Sequence, residues 1–219
     1  MTQIITVDGP SGAGKGTLCQ LLARQTGYAL LDSGALYRLT ALAALNDRAD
    51  LSNAVEVANI AAALDIAFDA TDKGVTVTLR GVDVSMAIRQ EDVGMAASRV
   101  AALQPVRDAL LARQRAFATE RGLVADGRDM GTVVFPQAQV KFFLTASAEE
   151  RARRRVLQLQ AAGAAADEAK ILADIQARDK RDSEREHAPL VAAPDAVLLD
   201  STQLSIDDVF QQAMAVVKA

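Results

Sequence analysis

The chain has one cysteine in 219 residues, no surplus of basic charge and no long apolar run. One cysteine excludes an internal disulfide, and Cys19, beside the apolar stripe of a first helix, reads as a buried small side chain. A formal charge of −4, with an isoelectric point near 5.1, argues against a general nucleic-acid binder. No apolar stretch approaches the ~20 residues of a membrane helix. The first residues lack the basic segment of a secretory signal, and their apolar start breaks at Asp8. A cytoplasmic protein with neither membrane nor nucleic acid as partner is expected.

Half of the residues are apolar, enough for one α/β domain with a small insert. Five short apolar runs, 3–7, 29–31, 123–125, 140–144 and 197–199, read as central strands. Four of them end at or beside Asp8, Asp32, Asp126 and Asp200. In an open parallel sheet the ligand edge lies at the carboxyl ends of the strands, which makes these acids site candidates. Helical spacing fills 34–45, 55–64, 106–117, 148–159, 167–185 and 205–217, with Ser147 as a candidate N-cap. Residues 65–68, 75–79 and 82–84 alternate as strands do, with a turn at 72–74. They predict a small antiparallel sheet inserted in the α/β core. The alanine-rich stretch 161–166 sits between two helices and reads as a flap.

The most informative segment is Asp8-Gly9-Pro10-Ser11-Gly12-Ala13-Gly14-Lys15-Gly16-Thr17, between the first strand and the first helix. Its glycines let the backbone curl so that several N–H groups point at one anion, and the helix adds its positive N-terminal end. Lys15 supplies a point charge for the outer phosphates and Thr17 a hydroxyl for a magnesium ion. The segment predicts a nucleoside triphosphate site. Its Lys-Gly-Thr ending departs from the usual Ser or Thr directly after the lysine, and resembles nucleoside monophosphate kinases more than GTPases or motors.

Other polar segments cluster at strand ends. Asp32-Ser33-Gly34-Ala35-Leu36-Tyr37-Arg38 follows the second strand. Ser33 can cap the next helix, and an arginine so near a helix N-terminus suggests a bound anion. Asp126-Gly127-Arg128-Asp129-Met130-Gly131 follows the third strand, with Asp126 placed as the acid that orients magnesium waters. Arg128 and Asp129 read either as site residues or as an ion pair with each other. Arg151 and Arg155 share one helix face, and Arg178, Arg181, Asp182 and Arg185 lie along one stripe. Each face alone reads equally as solvated charge; two of them bracketing a flap favour a closing lid. The single histidine, His187, reads as a surface or packing residue.

Taken together, the Lys15-Gly16-Thr17 loop, the 31–38 and 125–132 segments, Arg178-Asp179-Lys180-Arg181-Asp182 and Leu199-Asp200-Ser201-Thr202 closely resemble the bacterial cytidylate kinases over nearly the whole chain. The resemblance implies transfer of the γ-phosphoryl group of ATP, with Mg2+, to CMP or dCMP by a monomeric enzyme. It implies one kinase domain over 1–219, with a five-stranded parallel sheet covered by helices on both faces. Its core would be 1–60, 100–150 and 190–219, its monophosphate-binding insert about 61–99 and its short helical lid about 151–185.

Position by position, the resemblance places ATP on Gly9, Pro10, Ser11, Gly12, Ala13, Gly14, Lys15, Gly16 and Thr17, and the metal at Thr17 and Asp126. It lines the CMP site with Ser33, Tyr37, Arg38, Ser98, Arg107, Arg128, Asp129, Arg178, Asp182 and Arg185. Of these, Arg38, Arg128 and Arg185 would hold the acceptor phosphate. Ser98, Arg107 and Asp129 would read cytosine, and Arg178 and Asp182 would touch the sugar. The catalytic cations would be Lys15, Arg128, Arg151, Arg155 and Arg181.

Two other readings remain at this level. One is a P-loop kinase for a different small acceptor. The other is a nucleotide-dependent switch such as a small GTPase, which needs an Asn-Lys-x-Asp segment; none of Asn46, Asn53 and Asn59 precedes a lysine.

Overall fold

A computed structural model describes residues 2–71 and 74–218. Strands β1 (Ile4–Asp8), β2 (Ala29–Asp32), β6 (Leu123–Gly127), β7 (Val140–Thr145) and β8 (Val197–Asp200) form one sheet in the order β2-β6-β1-β7-β8. Every pairing in it is parallel, so all five carboxyl ends share one edge. In register, Asp32 lies opposite Asp126 and Asp8 opposite Gly127. The third strand runs to Gly127, beyond the expected 123–125, because Asp126 and Gly127 still pair with β1. Asp126 is therefore held inside the sheet edge rather than in a loop after it.

The odd-numbered side chains of β1, Ile5 and Val7, face a core built with Val124, Phe142, Leu144 and Leu199. Helix α1 (Lys15–Thr26) covers this face with Leu18, Cys19 and Leu22, and α8 (Ile206–Val217) with Val209, Ala213 and Met214. Cys19 is fully buried. Burying a Leu or Phe side chain stabilises by roughly 2 kcal/mol, so this cluster fixes β1 and with it the loop that follows. Helix α8 starts from a capping box, Ser205 with Asp208. Helix α6 (Ala148–Ala161) starts from the expected cap, Ser147, whose hydroxyl accepts the Glu150 N–H at 3.1 Å. Helix α7 (Glu168–Glu184) is capped by Asp167 and packs on α6 as a hairpin.

The chain divides into two compact units, one of residues up to Asp32 with those from Arg115 onward, the other Ser33–Gln114. The second contains α2 (Ser33–Asn46), α3 (Ala54–Ala62), β3 (Ile66–Thr71), β4 (Gly74–Leu79), β5 (Val82–Asp83), α4 (Glu91–Val100) and most of α5 (Gln104–Arg115). Strands β3, β4 and β5 form the antiparallel sheet expected from alternation; residues 72 and 73 of the expected turn lie outside the described residues. Helix α2 buries Leu36, Leu39, Ala43 and Ala44 and packs against α3 and α4.

Candidate active site

The phosphate loop leaves β1 through Gly9, where φ is +148° and a Cβ would lie 1.9 Å from the Leu144 carbonyl oxygen. Only glycine allows the chain to pass β7 this closely. Gly14, at φ +97°, turns the chain into α1. The loop's carbonyls are taken by the protein itself. Lys15 Nζ donates to Pro10 O at 2.8 Å, Arg151 Nη1 to Ser11 O at 3.0 Å, and Ser201 Oγ to Ala13 O at 3.2 Å. A loop whose carbonyls are drawn outward presents its amides to an anion on the other side.

Lys15 is buried, and Asp126 stands on the adjacent strand. Burial lowers the lysine's pKa and raises the carboxyl's, and each charge opposes the other's shift. A Cβ on Gly16 would sit 3.7 Å from Asp126 Oδ2, so the residue after the lysine is the one against the acid, and Thr17 lies exposed one position on. These are hard oxygen donors suited to magnesium, which keeps waters and phosphate oxygens as its other ligands. Among the described residues no group of three or more His, Cys, Asp or Glu could hold a metal alone. Asp8, behind the loop, accepts the Met130 and Gly131 N–H groups at 2.8 Å each. They open a π-helical turn, Met130–Val134, that the apolar pattern did not announce. Burial nonetheless pushes the Asp8 carboxyl up to about 6.

On the same unit, Arg128 Nε donates to Asp182 Oδ2 at 2.8 Å, joining the end of β6 to α7. The alternative of an ion pair between Arg128 and Asp129 gives way to this one: Arg128 reaches across to α7. Burial works to raise the Asp182 carboxyl, and Arg128, Arg178 and Arg185 more than offset it, leaving it below the usual carboxylate range. Asp129 is buried, and its carbonyl accepts from Val133 N. Arg155, Arg178, Arg181 and Arg185 are half-buried, and Arg185 Nε donates to Ala188 O. His187 is exposed, as expected.

The other unit holds the remaining residues of the proposed acceptor set. Ser33 opens α2, but its hydroxyl donates to Gln114 Oε1 at 2.9 Å instead of capping the helix. Arg38 Nη1 donates to Ile88 O at 2.7 Å, so backbone carbonyl dipoles offset a cation near a helix N-terminus. The Arg107 guanidinium lies 5.7 Å from the Tyr37 ring centroid and donates to Ala101 O at 3.2 Å. Ser98 is buried on α4. That helix was absent from the sequence reading, although Val93, Ala96, Ala97 and Val100 recur at helical spacing behind Glu91 and Asp92.

Two supporting residues were also missed. Gln114 anchors Ser33, and Asp179 pairs with the buried Arg151. The sequence marks Asp179 only by its place within the 178–185 arginine stripe, because Arg151 lies on a charged helix face whose burial the structure alone shows.

The cytidylate kinase family model matches residues 5–219. A cytidylate kinase of Saccharophagus degradans is 59% identical over 220 residues, covering 100% of this chain and 98% of that protein. Cytidylate kinase 1 of Haemophilus influenzae is 60% identical, covering 98% and 93%. A gluconokinase structure from Sinorhizobium meliloti superposes with a TM-score of 0.50 at 15% identity, over 99% of this chain and 92% of that one, a likeness of fold alone. The chain belongs to the cytidylate kinase family.

Proposed function

We propose that this protein transfers the γ-phosphoryl group of ATP to CMP or dCMP, giving ADP and CDP or dCDP. The observation that carries the reading is the phosphate loop with Lys15 and Asp126 beside it, on the sheet edge that also presents Arg128 and its α7 partner Asp182. Family membership with relatives named cytidylate kinase selects the acceptor.

In this reading an oxygen of the acceptor's phosphate attacks the γ-phosphorus while the bond to the β–γ bridging oxygen breaks and ADP leaves. The acceptor phosphate is already ionised, so no general base is needed. What remains is in-line positioning and neutralisation of charge. The residues 9–17 hold the donor phosphates, with Lys15 on the outer ones. Asp126 and Thr17 would hold a magnesium ion, which would supply charge neutralisation on the phosphate oxygens. Arg128, Arg155 and Arg181 place positive charge at the transferring group. Arg38, Arg128 and Arg185 hold the acceptor phosphate. Arg178 and Asp182 touch its sugar, and Ser33 and Tyr37 line its site. Ser98, Arg107 and Asp129 read the base: Asp129 accepts from the cytosine amine and repels the oxygen that uracil carries there.

The hairpin of α6 and α7 serves as a lid that keeps water from the donor, within a single kinase domain. Among the described residues no helix is long and apolar enough to cross a membrane; a monomer in the cytoplasm fits the reading. Release of ADP measured across a panel of nucleoside monophosphates tests it, since another preferred acceptor would leave the loop's role standing and remove the cytosine assignment.

A further inference from the structure

Arg151 is 4% exposed, on the first turn of α6. Its Nε donates to Ala146 O at 2.9 Å at the end of β7. Nη1 donates to Ser11 O and to Asp179 Oδ1, both at 3.0 Å, and Nη2 to Asp179 Oδ2. One planar fork therefore holds the apex of the phosphate loop and the middle of α7 together. The side chain's stem runs under the loop, its Cβ 3.4 Å from where a Cβ on Gly12 would be. Asp179 adjoins Arg178 and lies three residues before Asp182, the partner of Arg128. All five guanidinium donors have a fixed geometry, and a bidentate carboxylate pair resists rotation.

We infer that Arg151 is a positioning residue that couples the phosphate loop to α7, so that a triphosphate in the loop fixes the helix carrying Arg178, Arg181 and Asp182. The inference rests on the reading of residues 9–17 as the ATP site and is independent of which acceptor is used. Arg151, which the family resemblance places among the catalytic cations, would act in this inference through Ser11 O and Asp179 rather than on the transferring phosphoryl group. Ordering one ligand's loop in this way removes part of the cost of ordering the other ligand's residues.

The test is hydrogen exchange of residues 168–184 with and without magnesium and a non-hydrolysable ATP analogue carrying a β–γ imido bridge, with analogue binding followed by calorimetry. The wild type is expected to show exchange slowed about tenfold across α7 on binding, the loop-to-helix coupling expressed as a population shift. Asp179→Asn is expected to bind the analogue within about threefold of wild type and to lose that slowing. Arg151→Lys, which keeps the charge and loses the fork, is likewise expected to lose the slowing. If the analogue binds and α7 exchange is unchanged in the wild type, or if Asp179→Asn keeps the full slowing, Arg151 is only a structural staple. If the analogue does not bind the wild type, the ATP site itself is misplaced, an outcome calorimetry separates from the first two.

Discussion

Arg128 and Asp182 meet at 2.8 Å with side chains 18% and 6% exposed, one at the end of a central strand and the other on the long helix of the hairpin. The pair sets the position of a cation that the proposed mechanism uses twice, on the acceptor phosphate and at the transferring group. Asp182→Asn keeps the shape and removes the charge, leaving Arg128 buried without its counter-ion. Loss of one partner of a buried pair costs about 3 kcal/mol. The expected result is a KM for CMP raised at least about tenfold, with the KM for ATP changed less than about threefold and a lower unfolding temperature. Steady-state kinetics against each substrate checks it; an unchanged KM for CMP detaches Asp182 from the acceptor.

Asp129 is 2% exposed at the start of the π-helical turn, so its carboxylate is held in one place. As a reader of the cytosine amine it should discriminate by repulsion as well as attraction. Asp129→Asn is expected to reduce the preference for CMP over UMP by roughly 100-fold, the scale of a lost buried polar contact. The ratio of kcat/KM for the two nucleotides measures it, and an unchanged ratio takes the base-reading role away from Asp129.

Gly9 and Gly14 both have positive φ and differ in what surrounds them. A Cβ at Gly9 would meet the Leu144 carbonyl oxygen at 1.9 Å, whereas nothing lies within 4 Å of one at Gly14. Gly14→Ala should cost only the backbone strain, roughly 1–2 kcal/mol. Gly9→Ala must displace β7 or the loop and should cost several kcal/mol, on the order of the overpacking limit. Urea unfolding of the two variants gives the order directly, and equal losses would mean that the loop relaxes away from β7 freely.

Much of this was legible in the sequence because it rests on local rules. The glycines between β1 and α1, the acids at the strand ends, the Ser147 cap and the alternation of β3 and β4 each follow from backbone geometry or side-chain periodicity within ten residues. What was not legible depends on partners far along the chain. Ser33 looks like a cap, yet Gln114, 81 positions away, takes its hydroxyl. Arg128 looks paired with its neighbour Asp129, yet Asp182 holds it from 54 positions on. Helix α4 was missed because its apolar side is made of small residues, Ala96 and Ala97 among them, whose signal is weak until α2 is seen to pack there. The base and sugar roles came from family resemblance alone, since no periodicity encodes them.

Asp8 offers a pH-dependent check on the support behind the loop. Burial pushes its carboxyl from 3.8 up to about 6 despite two backbone donors. A folded-state pKa above the unfolded value means that the group's contribution to stability is complete below pH 3.8 and is lost as pH rises through about 6. The shift corresponds to about 3 kcal/mol. Unfolding free energies of the wild type and Asp8→Asn, compared from pH 4 to 7, should show the wild type losing ground to the variant as pH rises. A constant difference would place the carboxyl at an ordinary value.

Transfer to a cytidine nucleotide is tested by ADP release from ATP and magnesium with CMP, dCMP, UMP, AMP and GMP side by side. Strong turnover is expected with CMP and dCMP, and turnover at least about 100-fold weaker with the other three. Preferred turnover of UMP, AMP or GMP, or binding of ATP with no turnover on any acceptor, would contradict it.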